Sequence, residues 1–241
     1  MNLWIPFALC FVLQCFFTPL FLKLIWPQRS MKSLAAKMVC ATLFLAVALL
    51  SVKISGNTSD FANTMMLGVI FGWIGDFFLH SERQSFFVIG FLSFMAGHIA
   101  YITAYVRALN TFDGYNQFNL IEVGILTALL IISVYVFKKY KFEFSMKILK
   151  LGVMVYTTIL CVMLLKAISL GVNFALSGGE NGILAALVLS FGALFFLLSD
   201  GTIGVLMFGG QKKNRPLKIF NIVTYFAGQM LLASSILFIN I

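Results

Sequence analysis

Long apolar runs fill this chain, and they leave it few ways to fold. Eight of them, at roughly 3–25, 33–53, 61–80, 86–108, 118–138, 147–172, 181–208 and 218–240, reach the length a helix needs to cross a bilayer, about 20 residues. No water is present in the hydrocarbon layer to satisfy exposed backbone groups, so runs of this kind must be helices. Only 10% of the residues are charged, against about 25% in a soluble domain, and the mean hydropathy is +1.01. The expected fold is all-α, a polytopic transmembrane bundle of eight helices forming a single integral membrane domain over residues 1–241. The polar segments 54–60, 109–117, 138–147 and 209–218 are connectors, too short to make a second domain. The first run has no basic residues before it and is too long for a signal-peptide core, so it reads as a spanning helix. Glu122 blurs the start of the fifth.

The net charge of +9 follows topology and does not mark a nucleic-acid binder. Of the 17 Lys and Arg residues, only Lys53, Arg107 and Lys166 lie toward the even-numbered loops. The others lie in or beside the odd-numbered loops, which the positive-inside rule assigns to the cytoplasm. Both termini are then non-cytoplasmic, in a bacterial cytoplasmic membrane or a eukaryotic endomembrane. Lys212, Lys213, Arg215 and Lys218 form the densest basic group, suited to anionic headgroups as well as to fixing orientation. Cys10, Cys15, Cys40 and Cys161 have no metal-ligand spacing and read as small buried hydrophobes. Asn57-Thr58-Ser59 matches a glycosylation sequon in a very short loop.

Chemistry is expected at the polar residues inside the runs. Asp76 and Asp200 stand out among only 8 acidic residues. A carboxylate at membrane depth costs about 2.5–3.5 kcal/mol on insertion scales, and such residues face a protein interior or a wet cavity. His80 follows Asp76 at i+4, on the same helical face. Gly68, Gly72 and Gly75 precede it, and small residues let helices approach closely. His98 shares a stripe with Tyr101 and Tyr105, Ser199 adjoins Asp200, and Tyr225 and Gln229 lie one turn apart. Lys37, in the first turn of the second run, either snorkels to the interface or meets a carboxylate. The depths of Asp76, Asp200, Lys37, Tyr225 and Gln229 agree, with His98 slightly deeper, as a chamber open to the inner leaflet requires. A shift of 124 residues superposes Asp76 on Asp200, Tyr101 on Tyr225, and runs three and four on runs seven and eight. That suggests a four-plus-four parallel pseudo-repeat about an axis along the membrane normal.

Four stretches carry a resemblance: GDFFL at 75–79, FFVIGFLSFMAGHIAY at 86–101, GALFFLLSD at 192–200 and YFAGQMLLASS at 225–235. In these segments and in its helix count the chain resembles the YhhN-type lysoplasmalogenases, which include the vertebrate membrane enzymes. The specific parts are the Gly-Asp pair, the spaced Gly90, Phe94, His98 and Tyr101, and the Ser-Asp pair. The family's lysine on the second helix corresponds to Lys37, although Met38 stands where proline often follows. The resemblance implies hydrolysis of the vinyl ether bond of a lysoplasmalogen to a fatty aldehyde and a glycerophospho-ethanolamine or -choline. Its carboxylates correspond to Asp76 and Asp200.

Vinyl ethers hydrolyse by acid: the β-carbon takes a proton, an oxocarbenium ion forms, water adds, and the hemiacetal collapses. Two carboxyl groups can divide the work, one as proton donor and one as counter-charge, as in glycosidases with a similar transition state. Burial disfavours the charged form of a carboxyl group and a nearby cation restores it. Lys37 and His80 lie nearer Asp76 in helical register, which favours Asp76 as the ionised member and Asp200 as the acid. His98, Tyr101, Tyr225 and Gln229 would hold water, protons or glycerol oxygens. With two His, no HExxH and no G-x-S-x-G elbow, neither a metal, a cofactor nor a nucleophilic triad is expected. The expected partners are the bilayer and a lysophospholipid substrate whose phosphate meets the basic rim. The rival reading is a proton-coupled transporter or lipid flippase using the same Asp and His residues. A third is a structural membrane protein in which the Asp residues only pair with Lys37.

Overall fold

The structure is a computed structural model that describes residues 2–26, 28–81, 83–117, 119–178 and 181–239. Among these residues there are eight α-helices and no strand: α1 (Trp4–Leu24), α2 (Met31–Ser55), α3 (Asp60–Leu79), α4 (Gln84–Leu109), α5 (Leu120–Lys139), α6 (Lys147–Leu176), α7 (Gly182–Phe208) and α8 (Arg215–Ser235). All eight are long and apolar enough to span a bilayer, and the chain is an integral membrane protein. The expected helix ends at Phe118 and Asn240 fall outside the described residues.

Capping side chains explain where four of the helices start. Ser30 caps α2 through a reciprocal box with Ser33, Ser59 caps α3, and Asn119 caps α5. The box starts α2 two residues earlier than the apolar run suggests, so Lys37 lies in its second turn and not its first. Asn214 caps α8 with Pro216 in the first turn, where the missing N–H costs nothing. That helix therefore begins at Arg215 and ends at Ser235, earlier at both ends than its hydropathy implies.

The helix neighbours bear out a four-plus-four plan. The contacts α1 with α2, α2 with α3, α3 with α4 and α2 with α8 recur 124 residues on as α5 with α6, α6 with α7, α7 with α8 and α6 with α4. Gly68 and Gly192 obey the same shift. Each lets a glycine of the following helix reach its carbonyl: a Cβ on Gly97 would lie 3.1 Å from the Gly68 oxygen, and one on Gly228 3.0 Å from the Gly192 oxygen. Without a hydrophobic force between helices in lipid, such close backbone contact is what holds the α3–α4 and α7–α8 pairs together.

The repeat breaks at its first helices. α1 reaches α8, whereas α5 packs on α6 at the rim. Only Glu122 is buried in α5, and it makes an ion pair with Lys166 of α6 at 2.6 Å. Tyr115 and Ser169 donate to the same carboxylate, and Lys166 also donates to Tyr115 and to the Gln117 side chain. A buried charge is tolerated when paired and fully hydrogen-bonded in this way.

Two sequence expectations change. Cys15 is exposed on the lipid face of α1, while Cys10, Cys40 and Cys161 are buried. Asn57, the sequon residue, is 1% exposed and its amide donates to the Ile236 and Ile239 carbonyls. It works as a clasp between the α2–α3 turn and the end of the chain, and its nitrogen is not presented to a glycosyl donor.

Candidate functional site

The site consists of two clusters joined by aromatic rings. Asp76 lies one turn before the end of α3, with its side chain 2% exposed. Lys37 of α2 reaches it: the ammonium lies 2.9 Å from Oδ1 and also donates to the Asp76 backbone carbonyl at 2.9 Å. Tyr225 of α8 donates to Oδ2 at 2.7 Å. The Gln229 amide donates to the Tyr225 hydroxyl at 3.3 Å and accepts from Tyr101 of α4 at 3.1 Å. Two helices thus reach Asp76 directly, α2 through Lys37 and α8 through Tyr225, and α4 joins them through Tyr101 and Gln229.

Glycines make the space. A Cβ on Gly72 would sit 2.5 Å from the Gln229 amide nitrogen, and one on Gly68 would overlap the Tyr101 ring. A Cβ on Gly75 would lie 2.7 Å from the Phe94 ring. The glycine stripe of α3 is therefore packing, as the sequence suggests, but the groups it accommodates include the site's own polar side chains.

Asp200 of α7 forms the second cluster. Its side chain is 10% exposed, and the Tyr156 hydroxyl of α6 donates to Oδ2. His98 of α4 points Nε2 at the same oxygen from 4.0 Å, too far for a hydrogen bond, and that nitrogen is buried without a partner. The other ring nitrogen, Nδ1, lies 2.5 Å from the Phe94 carbonyl. A carbonyl only accepts, so Nδ1 carries a proton. In the neutral ring Nε2 is then a bare lone pair on the Asp200 side, an acceptor with no donor in hydrogen-bond reach.

Phe196 stands between the clusters, 4.6 Å from the His98 ring and 5.5 Å from Tyr225, with Phe94 5.8 Å from Tyr225 on the other side. The low dielectric of this wall lengthens the reach of every charge inside it.

Lys37, Asp76, Tyr101, Tyr225 and Gln229 are thus brought together, and His98 with Asp200. His80 and Ser199 are turned elsewhere. His80 caps α3, and its Nε2 lies 3.3 Å from the Ser30 carbonyl and 3.1 Å from the Ser33 hydroxyl. Burial holds His80 down to about 4, with the Lys37, Arg29 and Lys218 charges pushing the same way and the Ser30 carbonyl opposing them. Ser199 is fully buried against Asn221 of α8, whose amide donates to its hydroxyl and its carbonyl. Sequence reasoning missed Tyr156 and Asn221. Each is a polar residue within an apolar run, the same signal that singled out Tyr225.

No curated protein and no solved structure matches the chain. A model of the YhhN family matches residues 31–236, which include every side chain of both clusters. The chain belongs to the YhhN family.

Proposed function

We propose that this protein hydrolyses the vinyl ether bond of lysoplasmalogens, releasing a fatty aldehyde and a glycerophospho-headgroup. One observation carries the reading: two intramembrane carboxyl groups in one bundle stand in opposite surroundings, Asp76 against a lysine and Asp200 against a tyrosine and an unpartnered histidine nitrogen. YhhN membership supports a hydrolase of this kind.

In this mechanism Asp200 holds the proton and gives it to the β-carbon of the vinyl ether, leaving an oxocarbenium ion. Asp76, kept ionised by Lys37, supplies the opposing charge across the aromatic wall. Such fixed charge stabilises a developing cation without reorganising during the reaction. Water adds to the α-carbon and gives its proton to the Asp200 carboxylate, which the Tyr156 hydroxyl holds in place. The hemiacetal hydroxyl then loses its proton as the carbon–oxygen bond breaks, and the glycerol oxygen takes one up. Tyr101, Tyr225 and Gln229 fix the Asp76 side of the chamber. No metal or cofactor takes part. The basic end of the bundle faces the cytoplasm in this reading, and a single-chain lipid comes in from that leaflet.

Aldehyde release by purified protein from a vinyl-ether lysolipid, beside its alkyl-ether and ester analogues, tests the proposal. Release from the vinyl ether alone is expected; no release from well-folded protein overturns it. The matched helix contacts favour one competitor, a transporter built from two parallel halves. Lysolipid flux in proteoliposomes without hydrolysis would select it.

A further inference from the structure

At the basic end of the bundle, α1 and α8 leave a cleft of about 260 Å³ between them. Lys23, Trp26, Arg215 and Lys218 line it together with Pro19, Leu22, Ile25 and Ile219, and among the described residues no carboxylate does. The Arg215 guanidinium and the Lys218 ammonium lie 5.9 and 5.4 Å from the centre of the Trp26 ring. Cation–π contact of this kind holds the positive groups in place. Lys218 has further contacts, and Lys23 and Arg215 are the cations assigned to the occupant. A second cleft, between the α5–α6 loop and the end of α7, carries Glu143 beside Lys139 and Lys141 and has no such single sign.

We infer that the α1–α8 cleft binds the headgroup phosphate of a single-chain glycerophospholipid, the substrate itself. This rests on the lysolipid reading above. The occupant is amphipathic: the cations and an interfacial tryptophan adjoin apolar side chains at the edge of the bilayer, as the headgroup and first methylenes of a lipid require. The cleft also lies at a useful distance from the carboxyl groups. Ile219 in its lining and Tyr225 at Asp76 are six residues apart on α8, about 9 Å along the axis. A glycerophosphate unit is of that length scale, so the cleft adjoins the Asp76 side of the chamber.

Trp26 reports on its own cleft once Trp4 and Trp73 are removed. The W4F/W73F protein in zwitterionic nanodiscs is titrated with a saturated alkyl-ether lysophosphoethanolamine, with the alkylglycerol lacking its phosphate, and with inorganic phosphate. A saturable change in Trp26 emission is expected for the lysolipid alone, lost in K23Q/R215Q and kept in K23R/R215K. An equal response to the alkylglycerol, a matching response to inorganic phosphate, or a response that survives in K23Q/R215Q overturns the assignment. Binding of the radiolabelled lysolipid to protein with all its tryptophans, with and without K23Q/R215Q, repeats the test should the tryptophan variant fail to fold. With the vinyl-ether substrate, K23Q/R215Q should raise KM roughly tenfold with kcat little changed, as loss of charge-assisted hydrogen bonds predicts. An unchanged KM also overturns it. If the parent protein releases no aldehyde, the hydrolase reading fails while the titrations still decide the cleft.

Discussion

The two halves of this bundle place a carboxyl group at the same station and then treat it differently. Asp76 on α3 and Asp200 on α7 are related by the repeat, and each draws a partner from the helix before its own. From α2 that partner is Lys37; from α6 it is Tyr156. The α8 hydroxyl of Tyr225 completes the first cluster, whereas its repeat mate Tyr101 turns away from Asp200 to Gln229. In a low-dielectric interior a cation at this range outweighs a hydroxyl by a wide margin. Duplication of a fold therefore sets where polar groups stand, and a few side chains decide what each can do. The difference between the halves is the basis for assigning the acid.

The sharpest way to break this comparison is to neutralise each aspartate in turn. Asp200→Asn and Asp76→Asn should each lower turnover of the vinyl-ether substrate by about 10²–10⁴, the range for a lost acid–base group. They should part company in stability. Asp76→Asn strands a buried lysine and should cost about 3–5 kcal/mol, while Asp200→Asn leaves no cation behind. Equal thermal stability of the two variants would mean that the halves are not electrostatically distinct.

Lys37→Met probes the same pair from the other side. It should destabilise by about 3–5 kcal/mol, and the double change with Asp76→Asn should recover most of that loss without recovering activity. A double variant as unstable as the single would show that the pair contributes packing and not charge. Tyr156→Phe takes away the donor to Asp200, for a loss in kcat of about tenfold. No change in kcat would remove Tyr156 from the site.

The last test concerns His80. Its value in the unfolded chain lies near 6.5, and in the native state it is held to about 4. Between these values the unfolded chain binds a proton that the native state refuses. Stability should therefore decline as pH falls from about 6.5 to about 4, with no further loss from this group below that. His80→Gln should flatten the decline in thermal unfolding curves. An unaltered slope would place the acid-sensitive group elsewhere.

Much of this was legible in the chain. A helix must be long and apolar to span lipid, so the eight helices follow from hydropathy, and a charge within such a run announces itself, as Asp76, Asp200 and Lys37 do. The ends of α2 and α8 were less legible, because Ser30 and Asn214 set them through local hydrogen bonds that hydropathy does not register. Partner choice was the least legible. His80 lies one turn from Asp76 in sequence, yet its ring goes to the cap of α2 because α3 stops at Leu79. Tyr156 meets Asp200 only through the relative rotation of α6 and α7, a property of the assembled bundle.

The Glu122–Lys166 pair has a consequence for how the protein is made. Each residue alone would carry an uncompensated charge into lipid, and the two neutralise one another only when α5 and α6 lie side by side. Since α5 has no other buried residue to hold it, the two helices should leave the translocation machinery as one hairpin.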